Sequence, residues 1–490
     1  MSKRTAIIDI GSNSVRMAIY EKDSRYAFHL IKEVKSRVII GEGAYENNGN
    51  LQPKAISRAV NALGEFSQIV KNLSCNKILC VATSALRDAP NSKEFIQKVR
   101  KQFGFNIKII DGNQEAIYGA IAVNNMVNGF HEATTIDIGG GSTELAKIEN
   151  GIITKTISLN LGTIRLKELF FDKKASKNKI INFINKEIEK VDSDFFSSCA
   201  IGVGGTLRAL SKLFIEKSKY PINTIHNYEY DLSEFLPIIK QISSSKISDL
   251  KDIGIKKDRH DTIREGSIIF EILLAKLGTN KVITSGVGVR EGLFLSDILR
   301  GSHNRFPANF NLSLESLRAR FIKKDKQSIL VTKCALNLFD ILSSIHQIDE
   351  FYKFELQSAG KLHSIGSVLN FYQENIHSSY FILNSLNYGF THNQKVLIST
   401  IILYLNKKIT ENDIEKYKKL LPKIDVVNWL IFLLSLAKVL YIDESDINIK
   451  FEYKNHTLYI KSSSSLYLAK DLIKKLPKPS SFAIIIEEVQ

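Results

Sequence analysis

Cysteine is scarce: four stand in 490 residues, at Cys75, Cys80, Cys199 and Cys334, and no two form a CxxC pair. A disulfide framework and a thiolate metal site are therefore not expected, and a reducing compartment fits. Long apolar runs are also missing. The strongest, Val426 to Ile442, contains Asn428, Ser435 and Lys438, which makes it a buried helix rather than a membrane span. Met1-Ser2-Lys3-Arg4 leads into a short apolar run broken by Asp9, which is not a signal peptide. Low complexity is confined to Ser243–Ser245 and Ser462–Ser465, read as loops. No concentrated basic patch with interleaved aromatics marks a nucleic-acid binder. These absences predict a soluble, cytoplasmic chain that binds neither nucleic acid nor membrane.

What is present is ordinary globular composition, 44% apolar and 24% charged, in a length that suggests three or four domains. The 67 basic residues exceed the 51 acidic ones, for a net charge of +16 spread along the chain. A field of that sign draws polyanions, although Lys-rich solvated faces would produce the same count.

An internal echo organises the first 300 residues. TAIIDIGSNSVRMAIY (5–20) and TTIDIGGGSTELAKI (134–148) each read as a strand, Asp-Ile-Gly, a small polar turn and a second strand. Asp9 aligns with Asp137. A repeat this long indicates two copies of one α/β domain. Between and after the copies, strands alternate with helices: helix Pro53 to Leu73, strand Lys77–Ala82, helix Ser92–Phe103, strand Asn106–Ile110 and helix Gln114–Asn124. Strand Ile152–Leu161, helix Lys177–Val191, strand Ala200–Val203, helices near 206–217 and 260–277, strand Lys281–Ser285 and helix Arg290–Leu299 follow. Such alternation indicates α/β layers. From about residue 305 the pattern turns all-helical, and from about 445 it returns to strands (Ile447–Tyr453, Thr457–Lys461, Ser481–Glu487) around helix Leu466–Leu476. The expected domains are therefore 1–125, 126–304, 305–440 and 441–490.

The turns carry the chemistry. In the first copy Asp9 ends a strand, and Gly11, Ser12, Asn13 and Ser14 offer backbone N–H groups and small donors that can wrap a phosphate. Arg16 can fork onto its oxygens. A plain hairpin turn would use the same residue types. The second copy is more specific, because three consecutive glycines, Gly139, Gly140 and Gly141, weaken strand pairing unless something needs close backbone approach. Ser142 and Thr143 add hydroxyls. Asp137 and Glu144 set two carboxylates beside the cradle, which makes sense if Mg²⁺ sits between them and phosphate. Gly204 and Gly205, at a strand–helix junction, offer a further anion site at a helix N-terminus, or only a tight turn. Arg87, after the strand ending at Ala82, is a candidate phosphate ligand or a surface ion pair.

These segments together resemble the exopolyphosphatase/guanosine pentaphosphate phosphohydrolase (Ppx/GppA) family of the actin-like superfamily. The matches are IDIGSNSVRMAIY, VATSALRDAPN, DGNQEAIYGAI, IDIGGGSTEL, GVGGTLRAL, a weaker DRHDTIREG, and SGVGVREGLF, in that order over roughly residues 4–300. The resemblance implies duplicated actin-like (ribonuclease H-like) α/β domains, then an all-α HD-like domain and a small α+β tail. It implies hydrolysis of a terminal phosphoryl group of inorganic polyphosphate, of guanosine pentaphosphate, or of both, the latter in the stringent response. On this resemblance Glu115 is the general base on the attacking water; otherwise it is only an acid in a first helical turn, complementing the helix dipole. Asp137 and Glu144 would hold Mg²⁺ or orient water, and Asp9 would reach the metal through water. A monovalent cation such as K⁺ and a homodimer are further expectations of the family.

In the helical region the family's HD pair falls at His363 and Ser364, where serine replaces the metal-binding carboxylate. No metal and no catalysis are expected there, and His363 reads as a core histidine. Two rival functions stay open: an ATP-dependent kinase of the same superfamily, and a sensor of polyphosphate or alarmone with a dead centre. The presence of Glu115, Asp137 and Glu144 argues against the sensor.

Overall fold

The computed structural model describes residues 3–322, 325–445 and 447–488. The chain forms two compact units, Met1–Leu312 and Ser313–Gln490.

The first unit holds two sheets. β1 (Arg4–Ile10), β2 (Val15–Lys22), β3 (Phe28–Ser36), β4 (Lys77–Ala82) and β5 (Ile107–Ile109) form a five-stranded sheet in the order β3-β2-β1-β4-β5. β6 (Glu132–Ile138), β7 (Thr143–Glu149), β8 (Ile152–Leu159), β9 (Cys199–Val203), β10 (Glu229–Asp231) and β11 (Lys281–Thr284) form the second, in the order β10-β11-β9-β6-β7-β8. The two share one plan. β1–β2–β3 and β6–β7–β8 are antiparallel meanders, and β4–β5 and β9–β11 extend the first strand of each in parallel. The duplication expected from the repeated Asp-Ile-Gly is thus a duplication of sheet topology. β1 and β6 are covered on both faces, so their Ile-rich runs are almost wholly buried.

The two turns share one closing backbone hydrogen bond. Gly11 N donates to Ser14 O at 3.2 Å, and Gly139 N to Ser142 O at 2.9 Å. Strand register then lines up side chains in rows. Asp9 pairs with Arg16 and Arg16 with Lys35 across the first meander; Asp137 pairs with Glu144 and Glu144 with Ser158 across the second. Residues paired across strands share a face. One copy therefore presents an acid and two cations, the other two acids and a hydroxyl.

The expected boundary at 125/126 lies within the first unit, and the break between the units falls at 312/313, near the expected 304/305. Helix Gly112–Met126 buries Ala120 and Val123 among Ala133, Ala146 and Ile148 of the second sheet. Helix Val289–Ile298 returns to the first sheet, where Phe294 stacks on Tyr20 with ring centroids 4.7 Å apart. The two helices cross at Gly292. A Cβ there would lie 1.7 Å from the carbonyl oxygen of Tyr118, so only glycine allows this approach. Elements not foreseen include β3, whose exposed face is charged, β10, and helix Leu232–Ser244, which contains Pro237. Proline disfavours a helix interior, which hides this helix from pattern reading.

In the second unit, helices including Lys353–Leu362, Glu374–Ser385, His392–Leu403 and Ile424–Leu440 surround one core. β12 (Ile449–Lys454), β13 (Thr457–Ser462) and β14 (Ala483–Glu488) form a three-stranded sheet that shares that core. Trp429 stacks on Phe482 at 6.0 Å, so the expected break at 440/441 runs through continuous packing. Helix Ile424–Leu440 is buried nearly all round. Among the described residues no single helix is long and apolar enough to cross a membrane.

Candidate active site

Both turns and the N-terminal ends of the helices Gly204–Lys217 and Val289–Ile298 open onto one cleft of about 140 Å³ within the first unit. Its lining includes Asp9, Gly11, Ser12, Asn13, Ser14, Arg16, Glu115, Asp137, Gly139, Gly140, Ser142, Gly204 and Gly205. Most of the residues singled out from sequence thus meet at one place.

The turns approach each other closely. A Cβ on Gly140 would stand 2.9 Å from Ser12 Cβ, and one on Gly141 would stand 2.6 Å from Ser84 Oγ. Ser12 and Ser84 hydroxyls are themselves 2.9 Å apart. Gly204 takes φ +90°, and a Cβ on it would fall 2.6 Å from Asp137 Oδ1. The glycines therefore let backbone come up to the strand-end carboxylate, and Asn13 Oδ1 is buried in the same place with no hydrogen-bond partner among the described residues.

The carboxylates are desolvated. Burial raises Asp9, opposed by Arg16 and Arg290. Burial lifts Asp137 to about 6 against the pull of Arg208 and Arg16. Glu144 rises to about 7 through burial, opposed by hydrogen bonds from Ser142 and Ser158. Its Oε1 accepts from Ser158 Oγ at 2.8 Å. Glu115 is pushed well above the usual carboxylate range by burial and by the Glu144 charge, while Arg87 pulls it back.

Four expected phosphate or acid ligands stand off the lining. Thr143 donates its hydroxyl to Leu161 O at 2.6 Å, and Gly141 packs against Tyr45 and Ser84. Glu144 lies behind the cleft on Ser158. Arg87, read as a phosphate ligand, instead bridges Ile110 O at 3.0 Å and Glu115 Oε2 at 3.3 Å. It orients the acid rather than facing the cleft.

Cations missed from sequence take its place. Lys35, Arg208, Arg259 and Arg290 join Arg16 on the lining. Arg208 is fixed by Ser285 O at 3.0 Å and Val287 O at 3.2 Å. Burial, with Arg16, Arg259 and Arg37 nearby, brings Lys35 down to about 8, and the Asp258 charge only partly opposes this. Arg290 pairs with Glu33 at 2.7 Å, and Glu291 accepts from Tyr20 Oη at 2.6 Å and from Gly288 N at 2.8 Å, capping its helix. Arg208, Arg259 and Arg290 all lie inside motif strings already noticed, and Lys35 could have been found from the Arg16 register.

Among the described residues no three His, Cys, Asp or Glu side chains converge to cage a metal unaided. Mg²⁺ commonly takes one or two carboxylates and completes its shell with water and substrate phosphate. The pair Asp9 and Asp137, both lining the cleft beside the two cradles, fits that donor set.

In the second unit His363 is buried, with Nδ1 2.7 Å from Gly360 O.

The chain matches the model of the Ppx/GppA phosphatase family over residues 18–301 and that of Ppx/GppA phosphatase domain III over 311–475. Among solved structures, a family member from Aquifex aeolicus is 26% identical and covers 62% of this chain and 100% of its own length, with a TM-score of 0.53. An exopolyphosphatase from Cytophaga hutchinsonii, 23% identical, covers 60% of this chain and 98% of its own with a TM-score of 0.56, a likeness of fold. With the family match spanning more than half of its length, and with two sheets of duplicated topology beneath it, this chain belongs to the Ppx/GppA phosphatase family, phosphohydrolases built on an actin-like core.

Proposed function

We propose that this protein releases terminal orthophosphate from linear phosphoanhydride chains, with inorganic polyphosphate the favoured substrate and guanosine pentaphosphate the other end group of the same chemistry. The observation that carries this reading is the convergence of two facing glycine-rich turns, desolvated carboxylates and five cationic side chains on one small cleft. Ile138, Val203 and Val289 are the apolar members of the described lining, which favours an inorganic chain over a base-bearing one. The two turns hold the terminal phosphoryl group through N–H and hydroxyl donors. Arg16 and Arg208 neutralise its oxygens, while Lys35 and Arg259 meet the phosphates that follow.

Glu115 takes a proton from the water that attacks the terminal phosphorus. The phosphoanhydride bond breaks, and the chain leaves one phosphate shorter. Arg87 keeps the Glu115 carboxylate turned and lowers its proton affinity, while Glu144, anchored on Ser158, raises it. Asp9 and Asp137 would hold Mg²⁺, which supplies charge neutralisation for the phosphate oxygens. Little covalent chemistry is asked of the protein, since phosphoryl transfer is mostly positioning and electrostatics.

Replacing Glu115 by Gln tests the assignment. Hydrolysis is expected to fall at least a hundredfold, the scale of a positioned general base, with substrate binding retained. Unchanged hydrolysis would remove Glu115 from the mechanism.

A further inference from the structure

Two segments outside the sheets back the two turns. Ile39 N donates to Asn13 O at 3.0 Å and Gly41 N to Ser12 O at 3.1 Å, so residues 39–41 hold carbonyls of the first turn. Thr163 N donates to Gly139 O at 3.0 Å and Ile164 N to Gly140 O at 2.8 Å, so the start of the helix Thr163–Leu166 holds those of the second. The C=O and N–H of a trans peptide point opposite ways. A turn whose carbonyls are held from outside therefore presents its N–H groups on the other side, as an anion cradle requires.

One side chain completes the second backing and ties it to the first copy. Arg165 Nε donates to Gly141 O at 2.8 Å, the third carbonyl of that turn. Its Nη2 donates to Asp88 Oδ2 at 2.8 Å, and its guanidinium lies over the Tyr45 ring, 4.5 Å from the centroid. Tyr45 follows β3 and Asp88 follows β4, so both belong to the first copy. Divergent N–H donors and a flat cationic face are what this three-way contact needs, and a guanidinium combines them. The side chain is only 15% exposed, which shields the ion pair from water. Three residues on, Glu168 reaches the same loop, its Oε1 accepting from Gly43 N at 2.8 Å.

The clasp also reaches the base. Asp88 Oδ1 lies 3.8 Å from Arg87 Nε, and Arg87 Nη1 lies 3.3 Å from Glu115 Oε2. A line of contacts thus runs from the Gly139–Gly141 turn through Arg165, Asp88 and Arg87 to Glu115. Arg165 itself stands off the cleft lining, so it acts through these groups rather than on substrate.

We infer that Arg165 is a positioning residue for phosphoryl transfer: its fork fixes the distance between the two turns, and with it the grip on the transferred group relative to Glu115. The inference rests on the hydrolytic reading of the cleft. Its effect falls on the rate rather than on binding, because the cations that meet the substrate in that reading are anchored elsewhere, Arg208 on Ser285 O and Val287 O.

The test is steady-state release of orthophosphate from long-chain polyphosphate with Mg²⁺ by the full chain. Arg165→Gln is expected to lower kcat about tenfold with KM within about twofold of the wild type; the loss stays below the roughly hundredfold scale of a 1 Å misplacement because Glu168 still holds Gly43. Arg165→Lys keeps the charge but not the fork and should not restore kcat. Asp88→Asn, nearly isosteric and more exposed, carries the test if the Arg165 variants do not fold. It should lower kcat in the same way, and the double variant Arg165→Gln/Asp88→Asn should be no slower than the worse single, since either change opens the same clasp. Lys167→Gln removes a charge from the same segment at a surface pair with Asp172 and should keep wild-type kcat. Wild-type kcat in Arg165→Gln, Arg165→Lys or Asp88→Asn, a rise in KM with kcat kept, additive losses in the double variant, or an equal loss in Lys167→Gln would each overturn the inference. A wild-type protein that releases no phosphate would instead overturn the hydrolytic reading, and the inference with it.

Discussion

Adding one methyl group at Gly292 should cripple catalysis without touching the cleft. A Cβ at that position would lie 1.7 Å from Tyr118 O and 2.4 Å from Tyr118 C, both backbone atoms that cannot rotate away. Since Cβ contacts under 3.0 Å essentially never occur, helices Gly112–Met126 and Val289–Ile298 must part by more than an ångström. Glu115 lies one turn from Tyr118 on the displaced helix, and Glu291 caps the other helix beside Gly288. Misplacement on this scale costs about a hundredfold in rate, and overpacking a tight helix crossing costs about 1–3 kcal/mol. Gly292→Ala is therefore expected to lower kcat for phosphate release about a hundredfold and to lower Tm by several degrees, with a smaller change in KM. Gly119→Ala is the control. It sits on the same helix with open space around the added methyl, and should keep full activity with equal or slightly higher stability, because alanine is the better helix former. A Gly292→Ala protein with wild-type kcat and Tm would refute the view that this crossing sets the position of Glu115.

Two further outcomes follow from charges that burial has displaced. Arg87 lowers the proton affinity of Glu115, so Arg87→Gln should move the acidic limb of the kcat–pH profile to higher pH and reduce activity at neutrality; an unmoved limb would separate Arg87 from the base. Glu265 is fully buried and raised to about 7 by burial, with Arg264 only partly offsetting this. Its folded pKa exceeds the unfolded value near 4.5, so the folded state binds more protons between those values. Stability must fall as pH rises from about 4.5 to 7, by about 3 kcal/mol, and level off above. Glu265→Gln should flatten that part of the stability–pH curve measured by denaturant unfolding, and an unaltered slope counts against the assignment.

The strand ends and their turns were legible in the sequence because each requirement is local. An Ile-rich run, an aspartate, a glycine and small donors need no distant partner to be recognised, and their repetition exposes the duplicated sheet. What was not legible depends on long-range geometry. Arg87 reads as a phosphate ligand or a surface ion pair after a strand until Ile110 O and Glu115, from later in the chain, are seen beside it. Lys35 sits in a strand without a motif and enters the cleft only through its register with Arg16. Arg208, Arg259 and Arg290 lie within noticed strings, but only the packed fold gives the direction of their side chains. Gly292 looks like any helical glycine until Tyr118 O is placed against it. The boundary at 440/441 misled for a related reason: a change from helix to strand pattern says nothing about whether Trp429 and Phe482 share a core.

Phosphate release measured with Mg²⁺, comparing long-chain polyphosphate with guanosine pentaphosphate at matched terminal-phosphate concentration, tests the proposed reaction most directly. Steady release of orthophosphate from both, faster from polyphosphate, is the predicted result. Absence of release from either substrate, or phosphoryl transfer from ATP to an acceptor in its place, would contradict it.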